Sequence, residues 1–341
     1  MSNTNIYSYL NMRNLNQTLL KAEFENMIDD LAENIYNYGL LNLVRNINTK
    51  HHPIKDWKRL KSKEINTVHI NSTATTGLVI IKKHMLNIYK VENYKRKSLS
   101  NQWTIPNIKK ALIINRKTHS TPYASEIIRQ ISFITGKSMV TIYRPLLTKT
   151  IVQYFKAKNI LDPCIGWGGR MLGSLCLDGV KYVGCEPNTV TFSNLNNILN
   201  ELGIDSKRYT LYNDKAENAL QSINEKFDLI LTSPPYFNLE FYCDEKTQSH
   251  MYGTYELWLE NFLEPVIKQC LDKLNSNGVS CWSIKNFKTD KKYNLLEDVI
   301  SIHNKYGFKI NENVQFYVGN PIRPGSKHKL GKEITYVFER L

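Results

Sequence analysis

The chain contains no run of about 20 apolar residues, so nothing in it reads as a membrane-spanning helix. It contains no CxxC pair and no His/Cys group at zinc spacing, and no metal is expected. Its six cysteines (Cys164, Cys176, Cys185, Cys243, Cys270 and Cys281) all follow residue 163. Reduced thiols in the core of an intracellular protein are the expectation. The opening stretch MSNTNIYSYLNMRNL lacks a charged segment followed by an apolar one, so no signal peptide is expected. There is no internal repeat and no low-complexity tract. Acidic side chains are in deficit: 31 Asp and Glu stand against 45 Lys and Arg, for a formal charge of +14 and a pI of about 9.3. That imbalance favours a polyanionic partner without specifying fold or chemistry. What remains is a chain of 341 residues, 42% hydrophobic. This excludes wholesale disorder and leaves room for two domains.

The two parts of the chain read differently. Residues 17–46 place apolar side chains at spacings of three and four, which predicts amphipathic helix. Residues 50–118 are basic, with Trp57, Tyr89, Tyr94 and Trp103 interleaved among the cations. From about residue 140 strands and helices alternate. Strands are expected at 159–163, 182–186, 209–213, 227–233, 278–284, 313–318 and 333–338, and helices at 190–202 and 255–274. Such alternation implies right-handed βαβ units and a mostly parallel sheet. The last two strands have no helix between them and suit an antiparallel hairpin with a long basic loop. The expected division is a basic, mainly helical region at 1–135 and an α/β domain at 136–341.

The first of these strands runs into Asp162-Pro163-Cys164-Ile165-Gly166-Trp167-Gly168-Gly169-Arg170. Glycines here let the backbone adopt positive φ and approach a ligand closely. The acid precedes the glycines, unlike a GxGxxG turn. That order suits an aminoacyl sulfonium nucleoside, S-adenosylmethionine, better than a pyrophosphate. Asp162 is then a candidate for its ammonium group, with Gly166 and Gly168 against its methionine and ribose portions. Glu186 ends the next strand about 20 residues on, where an acid holds ribose hydroxyls in dinucleotide folds. Asp214 ends the third and is a candidate for the adenine amino group, or alternatively part of a helix start at KAENAL.

The fourth strand ends in Thr232-Ser233-Pro234-Pro235-Tyr236-Phe237. TSPPY closely resembles the catalytic tetrapeptide of the amino-group DNA methyltransferases, Asp/Asn/Ser-Pro-Pro-Tyr/Phe, and the resemblance covers residues 140–341. It implies a Rossmann-like class I methyltransferase fold with a seven-stranded sheet ending in an antiparallel hairpin. It also implies S-adenosylmethionine as cofactor, with Thr232 beside it. The chemistry can be argued from the residues. A base amino group is a poor nucleophile because its lone pair is delocalised into the ring. Acceptors placed around its hydrogens draw it toward a tetrahedral nitrogen, and Ser233 Oγ and the Pro234 carbonyl are those candidates. Pro234 and Pro235 stiffen the turn and remove competing amides. Tyr236 is the candidate to stack on a flipped base, supported by Phe237 or Tyr242. In the family a Ser in the first position usually accompanies cytosine N4 methylation, and Asp or Asn adenine N6 methylation. Cytosine N4 is therefore favoured, and no covalent intermediate is needed. Pro163-Cys164 mimics the nucleophile dipeptide of cytosine-C5 enzymes, but on the wrong strand.

The chain departs from the family in one respect. Only about 60 residues separate the glycine turn from TSPPY, too few for a target-recognition insert, and none follows the last strand. The basic N-terminal region becomes the candidate reader of DNA, and the loop bearing Arg323, Lys327, His328 and Lys329 the candidate phosphate contact. Arg144, before the first strand, is read either as a contact to the cofactor carboxylate or as helix entry ahead of Pro145. RNA or protein-glutamine methylation and a catalytically inactive nucleic-acid-binding fold are the alternative readings. The expected location is cytoplasmic or nucleoid-associated. A restriction–modification role is compatible with the resemblance, but no nuclease-like carboxylate cluster is present. Oligomeric state and target sequence are not legible.

Overall fold

The computed structural model describes residues 21–49, 52–65, 74–118, 124–136, 140–318 and 333–341. The chain divides into two compact units, residues 1–51 with 86–141 and residues 52–85 with 142–341. In chain order the first α-helices among the described residues are α1 (Lys21–Tyr38), α2 (Leu40–Thr49), α3 (Pro53–Ser62), α4 (Leu78–His84), α5 (Ile105–Thr118) and α6 (Ala124–Thr135).

The first unit is helical. Helices α1, α2, α5 and α6 bury Leu31, Ile35, Leu43, Ile108, Leu112, Ile127 and Ile131 in one cluster. The three-and-four spacing of these residues turns one apolar stripe of each helix inward. The single helix expected over 17–46 is broken at Gly39, whose φ of +85° ends α1. Its amide donates back to the Tyr36 carbonyl at 3.0 Å, as left-handed helix ends do.

The second unit is the α/β domain. Helix α7 (Pro145–Tyr154) leads into β1 (Asn159–Asp162), and then come α8 (Gly169–Leu175), β2 (Lys181–Cys185), α9 (Thr189–Glu201), β3 (Tyr209–Tyr212), α10 (Ala216–Ser222), β4 (Phe227–Thr232), α11 (Glu264–Asp272), β5 (Leu274–Ile284), α12 (Leu295–Lys305), β6 (Phe308–Tyr317) and β7 (Ile334–Arg340). The strands form one seven-stranded sheet in the order β6-β7-β5-β4-β1-β2-β3. Strands β3, β2, β1, β4 and β5 are parallel, while β7 runs antiparallel to β5 and β6 antiparallel to β7. Strand β4, Phe-Asp-Leu-Ile-Leu-Thr, is buried at every position but Asp228. A strand covered on both faces needs such an unbroken apolar run. Each of Leu229, Ile230 and Leu231, fully buried, contributes at most roughly 1.5–3 kcal/mol by removal from water.

The order reverses between β1 and β4, the place in such a sheet where ligands bind. The helix expected over 255–274 is interrupted by a π turn at Leu259–Leu263. Pro265, the second residue after it, has no N–H to continue the ladder.

The unit division differs from a cut at residue 135. Residues 52–85 belong with the α/β domain, because Lys149 of α7, only 3% exposed, donates to the carbonyls of Leu60, Lys61 and Lys63 at 2.9, 2.9 and 2.6 Å. A buried ammonium thereby caps the end of α3, satisfying carbonyls that no helical amide reaches. Lys83 and His84 of α4 meet Glu201 of α9 at 2.7 and 2.8 Å. Part of the basic segment is thus committed to internal pairing. Among the described residues, no helix is long and apolar enough to cross a membrane.

Candidate active site

The carboxyl ends of β1, β2 and β4 bring together the residues singled out from the sequence. Asp162 ends β1, is fully buried, and has both oxygens engaged. Oδ2 accepts from Arg170 Nε at 2.8 Å and from the Tyr182 hydroxyl at 2.7 Å. Oδ1 accepts from the Thr232 hydroxyl at 2.8 Å and from the Cys164 amide at 3.2 Å. The Arg170 guanidinium also donates to the Cys164 and Ile165 carbonyls and lies over the Tyr143 ring, 5.4 Å from its centroid. Burial opposes that positive charge, but the Asp162 carboxylate outweighs it and holds the guanidinium above its usual range. Asp162, Arg170 and Thr232 therefore form a buried ion-pair network that shapes the glycine turn. Both Asp162 oxygens and the Thr232 hydroxyl, candidates for cofactor contact from the sequence, are engaged within this network. The role of Arg170 had gone unread; the signal was present, an acid and a cation eight residues apart bracketing the turn.

Two glycines explain themselves. Gly166 has φ +59° and Gly168 φ +84°, a region costly for other residues. A Cβ on Gly168 would also come within 2.7 Å of Leu195, whereas one on Gly166 would enter open space. The Gly166 side of the turn is thus the side open to a ligand. Glu186, directly after β2 and 7% exposed, accepts from the Gly166 amide at 2.9 Å through one oxygen and from the Asn188 amide at 2.9 Å through the other. Burial pushes its carboxyl up to about 8; the two amides lower it, and the neighbouring Asp162 and Glu245 charges raise it. It is a buried acid with one amide donor to each oxygen, beside an open glycine. Asp214 lies half-buried past the end of β3, where Oδ1 accepts from the Lys215 amide at 2.7 Å and from Asn218 at 3.3 Å. That is the local contact of a helix start.

Ser233, Pro234, Pro235 and Tyr236 extend from β4, so the Thr232–Asp162 bond ties this turn to the glycine turn. Ser233 is partly exposed and Pro234 buried. One face of Tyr236 is stacked on Phe287, with centroids 5.5 Å apart and rings at 30°. Phe237 departs from expectation: its φ of +39° turns the side chain inward. It is 5% exposed and packs among Tyr255, Trp258 and Tyr293, so it supports the turn from the core. A left-handed backbone at a bulky residue costs about 1–3 kcal/mol and persists only where surroundings enforce it. Tyr242 lies half-buried, its hydroxyl donating to Glu240 at 2.6 Å and its ring 6.2 Å from Trp167 of the glycine turn. Glu245 accepts from the amide and hydroxyl of Thr189 at the start of α9, a tether with no sequence signal. Arg144 precedes Pro145 as the residue before α7, which is the helix-entry arrangement. Arg323 and Lys327, with His328 and Lys329, lie outside the described residues. Among the described residues no cluster of His, Cys, Asp or Glu could hold a metal ion.

A parallel sheet reversed between β1 and β4, ended by an antiparallel hairpin and carrying an acid–glycine turn beside a Pro-Pro turn, defines a class I methyltransferase. Proteins of this class draw their methyl group from S-adenosylmethionine. The segment 227–339 matches the family described as DNA methylase, of N6/N4 type. No curated protein matches the chain. Solved structures resemble it distantly. An rRNA methylase from Streptococcus thermophilus is 16% identical, with 59% of this chain and 99% of that one covered and a TM-score of 0.38. A SAM-dependent O-methyltransferase from Thermotoga maritima is 13% identical over 62% of this chain and 70% of its own, with a TM-score of 0.37. Magnesium protoporphyrin IX methyltransferase from Synechocystis is 10% identical over 57% and 79%, also at 0.37. The fold assignment rests on the strand order itself.

Proposed function

We propose that the chain methylates an exocyclic amino group of a DNA base, cytosine N4 in preference to adenine N6. The observation that carries this reading is the Ser233–Tyr236 turn, standing at the reversal of strand order and joined to the glycine turn through Thr232 and Asp162. S-adenosylmethionine, when bound, supplies an electrophilic methyl group. Glu186 accepts hydrogen bonds from its ribose, the Gly166 side of the turn admits its methionine portion, and Asp214 faces its adenine. Asp162 acts at one remove, through Arg170 and the turn that they hold. Ser233 Oγ and the Pro234 carbonyl accept from the target amino group and localise its lone pair for in-line attack. Tyr236, stacked on Phe287 and 9% exposed, bounds the flipped base, and Tyr242 flanks the opening. Ser rather than Asp or Asn at position 233 favours cytosine through the family resemblance, while the neutral hydroxyl itself can serve either amino group. The basic composition and the masses of Lys and Arg outside the pairs described above suit a polyphosphate substrate.

The test is transfer from labelled S-adenosylmethionine to unmodified DNA, with the nucleosides separated by mass spectrometry. Label in N4-methylcytosine is expected. Label in N6-methyladenine would keep the mechanism and overturn the base. Label confined to RNA or protein would overturn the substrate.

A further inference from the structure

We propose that the helical unit carries a docking platform for a DNA strand with unstacked bases, made of Tyr94 and Phe133 with their companion cations. The proposal rests on the DNA-methylating reading above and names the surface by which this unit takes hold of the substrate.

Phe133 is 67% exposed and Tyr94 39%. Large rings left in water contribute little to folding, so burial does not account for them. Each ring has a cation beside it. Lys95 Nζ lies 5.4 Å from the Tyr94 centroid, and the Arg129 guanidinium 5.7 Å from that of Phe133. The turn bearing Tyr94 is held rigidly. The buried Asn93 side chain accepts from the amides of Lys95 and Lys97 at 3.0 and 3.1 Å. Its backbone carbonyl accepts from the Arg96 amide at 2.8 Å. Asn101 donates to the Arg96 carbonyl at 3.1 Å, fixing Arg96 at a φ of +57°. Such a conformation in an arginine is enforced by its surroundings, and here it projects Tyr94, Lys95 and Arg96 outward. Lys97 Nζ donates to the Thr135 carbonyl at 2.9 Å, so the base of this turn adjoins the end of α6, two residues beyond Phe133. The two ring–cation pairs therefore stand on adjoining segments. Glu92 and Glu126 pair with Arg96 and Arg129 and orient their guanidinium groups. Residues 90–97 still hold four cations (Lys90, Lys95, Arg96, Lys97) against one acid (Glu92), a net +3. Aromatic faces accept bases of any sequence and nearby cations accept phosphate, the combination by which single strands are held.

The test measures binding of the full chain to fluorescein-labelled single-stranded DNA, duplex DNA and RNA by anisotropy, with cofactor affinity measured in parallel. Tyr94→Ala and Phe133→Ala should each weaken single-stranded DNA binding about tenfold, while Tyr94→Phe stays within about twofold because the ring remains. Lys95→Gln should reduce the salt dependence by about one counterion. An unchanged far-ultraviolet circular dichroism spectrum and thermal unfolding would show that the variants are folded. If wild type binds DNA and both alanine variants bind as tightly, the platform is refuted and the methylation reading stands. If wild type binds no nucleic acid, both fall. Tighter binding of RNA than of DNA would overturn the assigned occupant.

Discussion

Glu186 offers a quantitative handle on cofactor binding. In the unliganded site its carboxyl is pushed up to about 8 from an ordinary 4.5, chiefly by burial. A raised folded-state pKa in an acid means that the folded protein holds the proton through the window from 4.5 to 8, so this group lowers stability as pH rises across it. Ribose hydroxyls donating to the ionised carboxylate would return its pKa toward the ordinary value and release the proton. The apparent Kd then scales with one plus ten to the power of 8 minus pH, and should fall about 50-fold between pH 6 and pH 8. At pH 7 roughly 0.9 proton should leave per cofactor bound. Titration calorimetry in buffers of different ionisation enthalpy reads both quantities. Glu186→Gln cannot ionise, so it should bind about as wild type does at pH 6 but far more weakly at pH 8, with a nearly flat profile. A flat wild-type profile, or an equal slope in Glu186→Gln, would refute the assignment of this carboxylate to the ribose.

Three further outcomes follow from the same geometry. Ser233→Ala and Tyr236→Ala should each lower methyl transfer by about 100-fold while cofactor affinity holds within about twofold; full activity in Tyr236→Ala would remove its role at the base. Arg170→Met leaves the buried Asp162 carboxylate unpaired, and should cost about 3–5 kcal/mol of stability in urea unfolding; a loss under about 1 kcal/mol would show that the network does not hold the turn. His303 is fully buried between Ser280 and the Val299 carbonyl, and burial lowers its pKa from 6.5 to about 3. A depressed histidine pKa means stability present above 6.5 and lost as pH falls toward 3, by a few kcal/mol. His303→Gln should flatten the stability profile over that window, and an unchanged acid limb would place the effect elsewhere.

The Ser-Pro-Pro-Tyr turn was legible because it depends on short-range covalent features. Ser-Pro-Pro-Tyr announces a stiff turn wherever it falls, and the alternation of strand and helix put it after β4. The glycine turn was legible for the same reason, since glycine adopts the positive φ values seen at 166 and 168 without steric cost. The packing of Phe237 was not legible, because adjacency in sequence says nothing about direction. A left-handed φ at that one residue accompanies a ring packed among Tyr255, Trp258 and Tyr293. Asp162 was placed correctly at the end of β1, but its partners were not.

The sequence by itself determined the order of strands and helices, the acid–glycine turn and the Pro-Pro turn, because hydrophobic period and backbone-restricting residues act within a few positions of the chain. Tertiary structure alone decided that Asp162 meets Thr232, 70 residues away. It also decided that Lys149 draws residues 52–85 into the α/β unit, and that Glu186 is buried deeply enough to hold its proton near neutrality. Those outcomes depend on which polar groups are desolvated together, and desolvation is a property of the packed molecule that no local pattern of residues records.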